Sequence, residues 1–141
     1  MSEINWAALQ QAAQQAAAQA YAPYSKFPVG VAILADSGKI YTGCNVENAS
    51  YGGTVCAERN AIGAAVVAGE RKFTALMVYT PQDMLTPPCG ICRQVIAEFF
   101  SPNAPIASCN HLHQQQNWSL GELLPAAFTP TYLANSTKVG A

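Results

Sequence analysis

The chain is short of charge. Asp, Glu, Lys and Arg make up 11% of its 141 residues, where an average soluble protein carries about 25%. The seven basic residues, Lys26, Lys39, Arg59, Arg71, Lys72, Arg93 and Lys138, form no basic tract. A protein that grips a phosphate backbone relies on many such side chains, so no nucleic-acid partner is expected. Long apolar runs are missing as well. A membrane-spanning helix needs about 20 consecutive apolar residues, and the runs at 29–35 and 61–68 fall well short, so no membrane partner is expected either. Met1-Ser2-Glu3 has neither the basic start nor the apolar stretch of a secretory leader, which predicts a cytoplasmic protein. Intrinsic disorder is excluded from the other side: hydrophobic residues reach 50% and the formal net charge is -1, the reverse of a disordered composition.

What the chain does have is enough apolar material for one core. A single domain over 1–141 is expected, since domains commonly hold about 100–200 residues and a chain of this size buries roughly 70% of its unfolded surface. Its five cysteines are an odd number, and Cys89 and Cys92 lie too close together to staple a loop. In a reducing compartment that pattern reads as metal or redox chemistry before structural disulfides.

Residues 5–20 are rich in Ala and Gln and end before Pro23, which predicts a surface helix. From 29 to 35 every residue except Gly30 is apolar, as in a strand covered on both faces. Asp36-Ser37-Gly38-Lys39 supplies a turn into a second strand at 40–45, so a hairpin is expected. A polar loop over 46–55 leads to a helix at 56–68 closed by Gly69, then a strand at 74–79. After the Pro- and Thr-rich loop 80–88 come a helix at 89–100, stopped by Ser101-Pro102, and a short strand at 106–108. Ser119 and Glu122 have capping-box spacing for a short helix through Leu124, and Gln114-Gln115-Gln116 reads as a polar turn. Helices alternating with strands in this order call for crossover connections and a mainly parallel sheet covered by helices.

Cys89-Gly90-Ile91-Cys92 opens a predicted helix, where two thiolates one turn apart can face a metal and the free amides of the first turn can hydrogen-bond their sulfurs. Alone, this C-x-x-C reads equally as a zinc half-site, a dithiol redox pair or two buried small residues. Cys56-Ala57-Glu58-Arg59 also opens a predicted helix and brings a third thiolate and a carboxylate. Three ligands leave one position open, which marks a catalytic zinc rather than a structural one. Cys44 and Cys109 lack paired spacing and read as buried bystanders. His111 and His113 form an H-x-H pair, but in a Gln-rich loop solvent exposure is the better reading.

Cys56-Ala57-Glu58-Arg59 followed by Pro88-Cys89-Gly90-Ile91-Cys92-Arg93-Gln94 resembles the zinc signature of the cytidine deaminase family, in its small, three-cysteine, homotetrameric form. The segment from Tyr21-Ala22-Pro23-Tyr24 through Phe27-Pro28-Val29-Gly30, then Gly43-Cys44-Asn45-Val46-Glu47-Asn48, and Glu122-Leu123-Leu124-Pro125 with Phe128 are similar to family segments in the same order. The resemblance implies a three-layer α-β-α sandwich around a mixed, mainly parallel sheet of about five strands. It implies one zinc ion per subunit on Cys56, Cys89 and Cys92, with Glu58 as proton shuttle. It also implies a nucleoside held by Phe27 stacking on the pyrimidine, the Ala57 amide on the base, and Asn45 and Glu47 on the ribose hydroxyls. Tyr51 and Phe128 would come from neighbouring subunits of a homotetramer with shared active sites. Zinc on three thiolates carries a formal charge of about -1, which weakens its acidification of water unless offset. Arg59, one turn beyond Cys56, and the two helix N-termini supply that offset, and Arg93 is a further candidate. An ionised Glu47 would repel a phosphate, and no Gly-rich phosphate cradle is present, which favours a nucleoside over a nucleotide.

The expected reaction is hydrolytic deamination of cytidine and deoxycytidine to uridine and deoxyuridine, in pyrimidine salvage. Its nearest rival is a deaminase of another cytosine-containing nucleoside such as blasticidin S. A C-x-x-C thiol oxidoreductase would leave Cys56-Ala57-Glu58 unexplained, and a non-catalytic zinc module would need a fourth protein ligand. Buried between subunits, much of the surface would need little charge, which accords with the sparse composition.

Overall fold

The computed structural model describes residues 3–136. Met1 and Ser2 of the N-terminal stretch and Lys138 among the basic residues lie outside them.

The chain opens with α1 (Trp6–Ala17), capped by Asn5, whose side chain accepts the Ala8 amide at 3.1 Å. The expected hairpin follows as β1 (Gly30–Ala35) and β2 (Ile40–Cys44), antiparallel, with Gly38 in the turn at φ 91°. Then come α2 (Ala57–Val67), β3 (Phe73–Thr80) and α3 (Gly90–Phe99). The chain continues through β4 (Pro105–Asn110), β5 (Gln115–Ser119), α4 (Leu120–Leu123) and α5 (Pro130–Ser136). Gly69, at φ 101°, ends α2 as expected, because only glycine takes that conformation without strain. The capping box is formed: the Ser119 hydroxyl accepts the Glu122 amide while the Glu122 carboxylate accepts that of Ser119.

The five strands of the described residues form one mixed sheet in the order β2-β1-β3-β4-β5. The expectation of a mainly parallel sheet is wrong: β1 is antiparallel to both β2 and β3, β5 is antiparallel to β4, and only β3 and β4 pair in parallel. The crossover from β2 through α2 to β3 exists, but β1 lies between those two strands. They therefore run the same way without being neighbours. The second source of the error is β5, whose first two residues, Gln115 and Gln116, fall in the stretch that reads as a polar turn. It is an edge strand of sequence Gln-Gln-Asn-Trp-Ser, half-buried to exposed along its length, so it carries little of the apolar signal that marks a covered strand.

Helices cover both faces, giving the three expected layers. On one face Leu9, Ala13 and Ala17 of α1 pack on Ala32, Ala75, Met77 and Ala107. On the other, α2, α3 and α4 bury Ala61, Ile62, Ile96 and Leu120 against Val31, Ile33, Leu76, Val78 and Ile106. Burying each of these larger aliphatic side chains stabilises the fold by about 1.5–3 kcal/mol. Two glycines set the layer spacing. A Cβ on Gly30 would strike the Ala13 carbonyl and Ala17 of α1, and one on Gly43 would lie 2.6 Å from the Ala57 carbonyl. The bare backbone of Gly43 thus lets the first turn of α2 lie directly on β2, which carries Cys56 to the sheet. Among the described residues no helix is long and apolar enough to cross a membrane.

Candidate metal centre and substrate cavity

The sulfur cluster arises from two helix starts. Cys56 is the N-cap of α2 and Cys89 the N-cap of α3, each in extended backbone and neither spending its side chain on a capping bond. Cys92 lies in the first turn of α3. The three sulfurs lie within 4.8 Å of one another, with Cys56 Sγ and Cys89 Sγ 3.9 Å apart. Tetrahedral zinc with Zn–S bonds of about 2.3 Å holds its sulfurs about 3.8 Å apart, so spacing and donor type both fit. Among the described residues no fourth His, Cys, Asp or Glu joins this group. The cysteines form a zinc-binding triad, one per chain, with a side left open.

Electrostatics favour thiolate at this point. The Arg59 guanidinium donates to Cys56 Sγ at 3.5 Å and to the Thr54 carbonyl at 3.5 Å. A hydrogen bond from Cys92, reinforced by Arg59, lowers the Cys56 thiol to about 5. Cys92, donating in that bond and buried, is pushed up. The partial positive charge of two helix N-termini adds to the same effect. Arg93 is used differently. Its Nε donates to the Pro88 carbonyl at 2.8 Å and its guanidinium to the Leu123 carbonyl at 3.0 Å, so it braces the backbone leading into Cys89.

Glu58, two residues after Cys56, is 5% exposed. Burial pushes its carboxyl up to about 7, with the charge on Cys56 adding to the effect. It lines a cavity of about 340 Å³ together with Cys56, Ala57, Cys89, Phe27, Val29, Asn45, Glu47, Thr54, Val78, Thr86, Pro87 and Ser25. That is large enough for one small organic molecule.

The cavity therefore gathers Phe27, Asn45, Glu47, Ala57 and Glu58 with two of the sulfurs. Asn45 is buried, accepts the Val29 amide at 2.9 Å and donates to the Phe27 carbonyl at 2.9 Å, holding the Phe27 loop against the site. Glu47 accepts the amides of Tyr24 and Ser25 and the Ser25 hydroxyl. These bonds, the Ser25 hydroxyl first, hold its carboxyl below the usual range. Tyr51 and Phe128 do not line this cavity. Tyr51, 76% exposed, borders a neighbouring hollow of about 250 Å³ beside Tyr24. Phe128, 57% exposed, stacks on Tyr132 near Gln94.

Sequence reasoning missed Thr86 and Pro87. Their loop is pinned from below by Ser108 on β4, whose hydroxyl accepts the Thr86 amide at 3.1 Å and donates to the Thr86 carbonyl at 2.8 Å. A serine inside a strand gives no sequence sign of that duty. His111 and His113 are exposed, as expected, and His111 approaches Asp83 at 3.4 Å.

Three sulfurs with an open side and a buried carboxylate at the end of a small cavity are the arrangement of a catalytic metal site. A family profile described as "Cytidine and deoxycytidylate deaminase zinc-binding region" matches residues 5–107. The chain belongs to that deaminase family. It is 48% identical over 125 residues to a cytidine deaminase of Sporosarcina psychrophila, covering 89% of this chain and 92% of the relative. It is 43% identical over 128 residues to a cytidine deaminase of Mycobacterium tuberculosis, covering 91% and 92%. A crystal structure of cytidine deaminase from Burkholderia pseudomallei superposes with a TM-score of 0.84 at 44% identity, over 89% of this chain and all of the other.

Proposed function

We propose that this chain, acting as one catalytic domain, is a zinc-dependent deaminase that hydrolyses cytidine and deoxycytidine to uridine and deoxyuridine with release of ammonia, in pyrimidine salvage. The observation that carries the assignment of roles is Glu58, a carboxylate buried in the cavity beside a three-sulfur site with no fourth protein ligand among the described residues. Zinc on Cys56, Cys89 and Cys92 supplies the Lewis acidity that makes water a nucleophile near neutral pH. Glu58 takes a proton from the water as its oxygen attacks C4 and passes that proton to ring N3. It then takes the second proton, from the hydroxyl now on C4, and hands it to the departing amino group as the C4–N bond breaks and the C4 carbonyl forms. Arg59 offsets thiolate charge through Cys56, and Arg93 keeps the Cys89 loop in place.

In the same cavity, Phe27 stacks on the pyrimidine, and the Ala57 amide, free in the first turn of α2, contacts the base. A carboxylate offers about four lone pairs, and three on Glu47 are already used by Tyr24 and Ser25. Asn45 keeps one N–H and one lone pair. A single sugar hydroxyl, donating to Glu47 and accepting from Asn45, uses the last lone pair of Glu47 and the remaining N–H of Asn45. The 3′-hydroxyl is the ring hydroxyl that cytidine and deoxycytidine share, so one site serves both.

Homotetramer formation with shared sites is supported by the exposure of Tyr21, Tyr24, Tyr51 and Phe128, which leaves Tyr51 and Phe128 free to reach a neighbour's cavity. Five free cysteines suit a reducing cytoplasm. The test is to offer cytidine, deoxycytidine, CMP and blasticidin S separately to the zinc-loaded protein and follow loss of the aminopyrimidine absorbance. Turnover of the first two supports the proposal. Turnover of blasticidin S alone would assign the rival substrate, and an active monomer at high dilution would remove the shared sites.

A further inference from the structure

Glu47 is held by one short stretch of chain. Its Oε1 accepts the amides of Tyr24 and Ser25, both at 3.0 Å, and its Oε2 accepts the Ser25 hydroxyl. The same hydroxyl accepts the Phe27 amide at 3.0 Å, so one of its lone pairs and its proton are committed in fixed directions. Lys26, between Ser25 and Phe27, sits at φ 58°, a conformation that a non-glycine residue keeps only where its surroundings hold it. Both Ser25 and Glu47 line the cavity.

The two amides fix Oε1, but a carboxylate anchored through one oxygen still swings about that anchor. The Ser25 hydroxyl fixes the second oxygen and occupies one of its lone pairs, leaving one acceptor direction on Oε2. We propose that Ser25 is a positioning residue for substrate recognition: its hydroxyl aims the last free acceptor of Glu47 at the nucleoside sugar. This inference rests on the reading of Glu47 as a sugar contact. A group already held in the binding geometry loses less freedom when the ligand arrives. Removing the hydroxyl therefore weakens recognition of the sugar and leaves the chemistry at C4 unchanged.

The test uses zinc-loaded wild type, Ser25→Ala, Ser25→Thr and Glu47→Gln, with initial rates on cytidine, deoxycytidine and 2′,3′-dideoxycytidine. Ser25→Ala is expected to raise KM for cytidine and deoxycytidine about tenfold, the effect of one hydrogen bond. It should leave kcat within about twofold and not change kcat/KM for the dideoxy substrate. Ser25→Thr, which keeps a hydroxyl, should restore most of the loss. An equal loss on all three substrates, or no loss on any, would overturn the inference. If Glu47→Gln abolishes the preference for cytidine over dideoxycytidine while Ser25→Ala retains it, Ser25 is not the positioning residue and Glu47 stands. If Glu47→Gln itself retains the preference, the sugar contact fails and this inference fails with it.

Discussion

Arg93 donates to the carbonyl of Pro88, the residue immediately before Cys89, and reaches across to the carbonyl of Leu123 at the end of α4. One cation thus fastens the entry of a metal-ligand loop to a helix 30 residues further along the chain. Both bonds go to backbone oxygens, so the side chain acts through the position of Cys89.

Replacing Arg93 tests that bracing. Hydrogen bonds from charged donors contribute about 1.5–3 kcal/mol where they are well formed, and these two are partly buried. Arg93→Ala should cost about 1–3 kcal/mol in urea unfolding of the zinc-loaded protein. Arg93→Lys should recover less than half of it, because an ammonium cannot reproduce the planar fork. Full recovery by lysine would mean that charge alone matters.

Cys89→Ala should remove both bound zinc and turnover while keeping the far-UV circular dichroism of the native fold, since Cys89 makes no capping bond that α3 depends on. Full-length zinc chelation from the wild type should have the same effect on activity, reversed by adding zinc back. Turnover surviving complete chelation would rule out the metal's part in the reaction.

Gly43 and Gly63 form a matched pair for packing. A Cβ at Gly43 meets the backbone of α2, whereas one at Gly63, exposed on α2, meets nothing within 4 Å. Gly43→Ala should destabilise by about 1–3 kcal/mol or more and displace the Cys56 end of the helix, lowering zinc occupancy. Gly63→Ala should stabilise by about 0.5–1 kcal/mol through helix propensity. Equal effects of the two would contradict the close approach.

Cys109 offers a pH test remote from the metal. Burial pushes its thiol up to about 12, so it stays protonated as pH rises from 7 to 9, where an ordinary thiol near 8.5 becomes mostly thiolate. Mass spectrometry after brief alkylation of the native protein should find Cys109 unmodified across that range and modified after denaturation. Rapid labelling of native Cys109 at pH 9 would contradict its burial.

The metal ligands were legible because the signal is local: Cys56 and the Cys89/Cys92 pair each sit where a loop turns into a helix, and the chemistry needs their neighbours in sequence. Helix starts and the first hairpin were legible for the same reason. The pairing of β1 with β3 was not, because β1 enters between β2 and β3 without leaving a mark on any of the three segments. β5 was hidden by its polar, edge-strand sequence. The duties of Arg93, Ser25 and Ser108 were also hidden, since their partners include backbone groups supplied by the fold.

The most direct measurement pairs zinc content with the initial rate of cytidine deamination on wild type and Glu58→Gln, prepared side by side. Both proteins should hold one zinc per chain, with turnover lower in the variant by about 10²–10⁴-fold or more, the contribution of a positioned acid–base group. A zinc-loaded Glu58→Gln protein that deaminates cytidine at the wild-type rate would contradict the proton-shuttle role of Glu58.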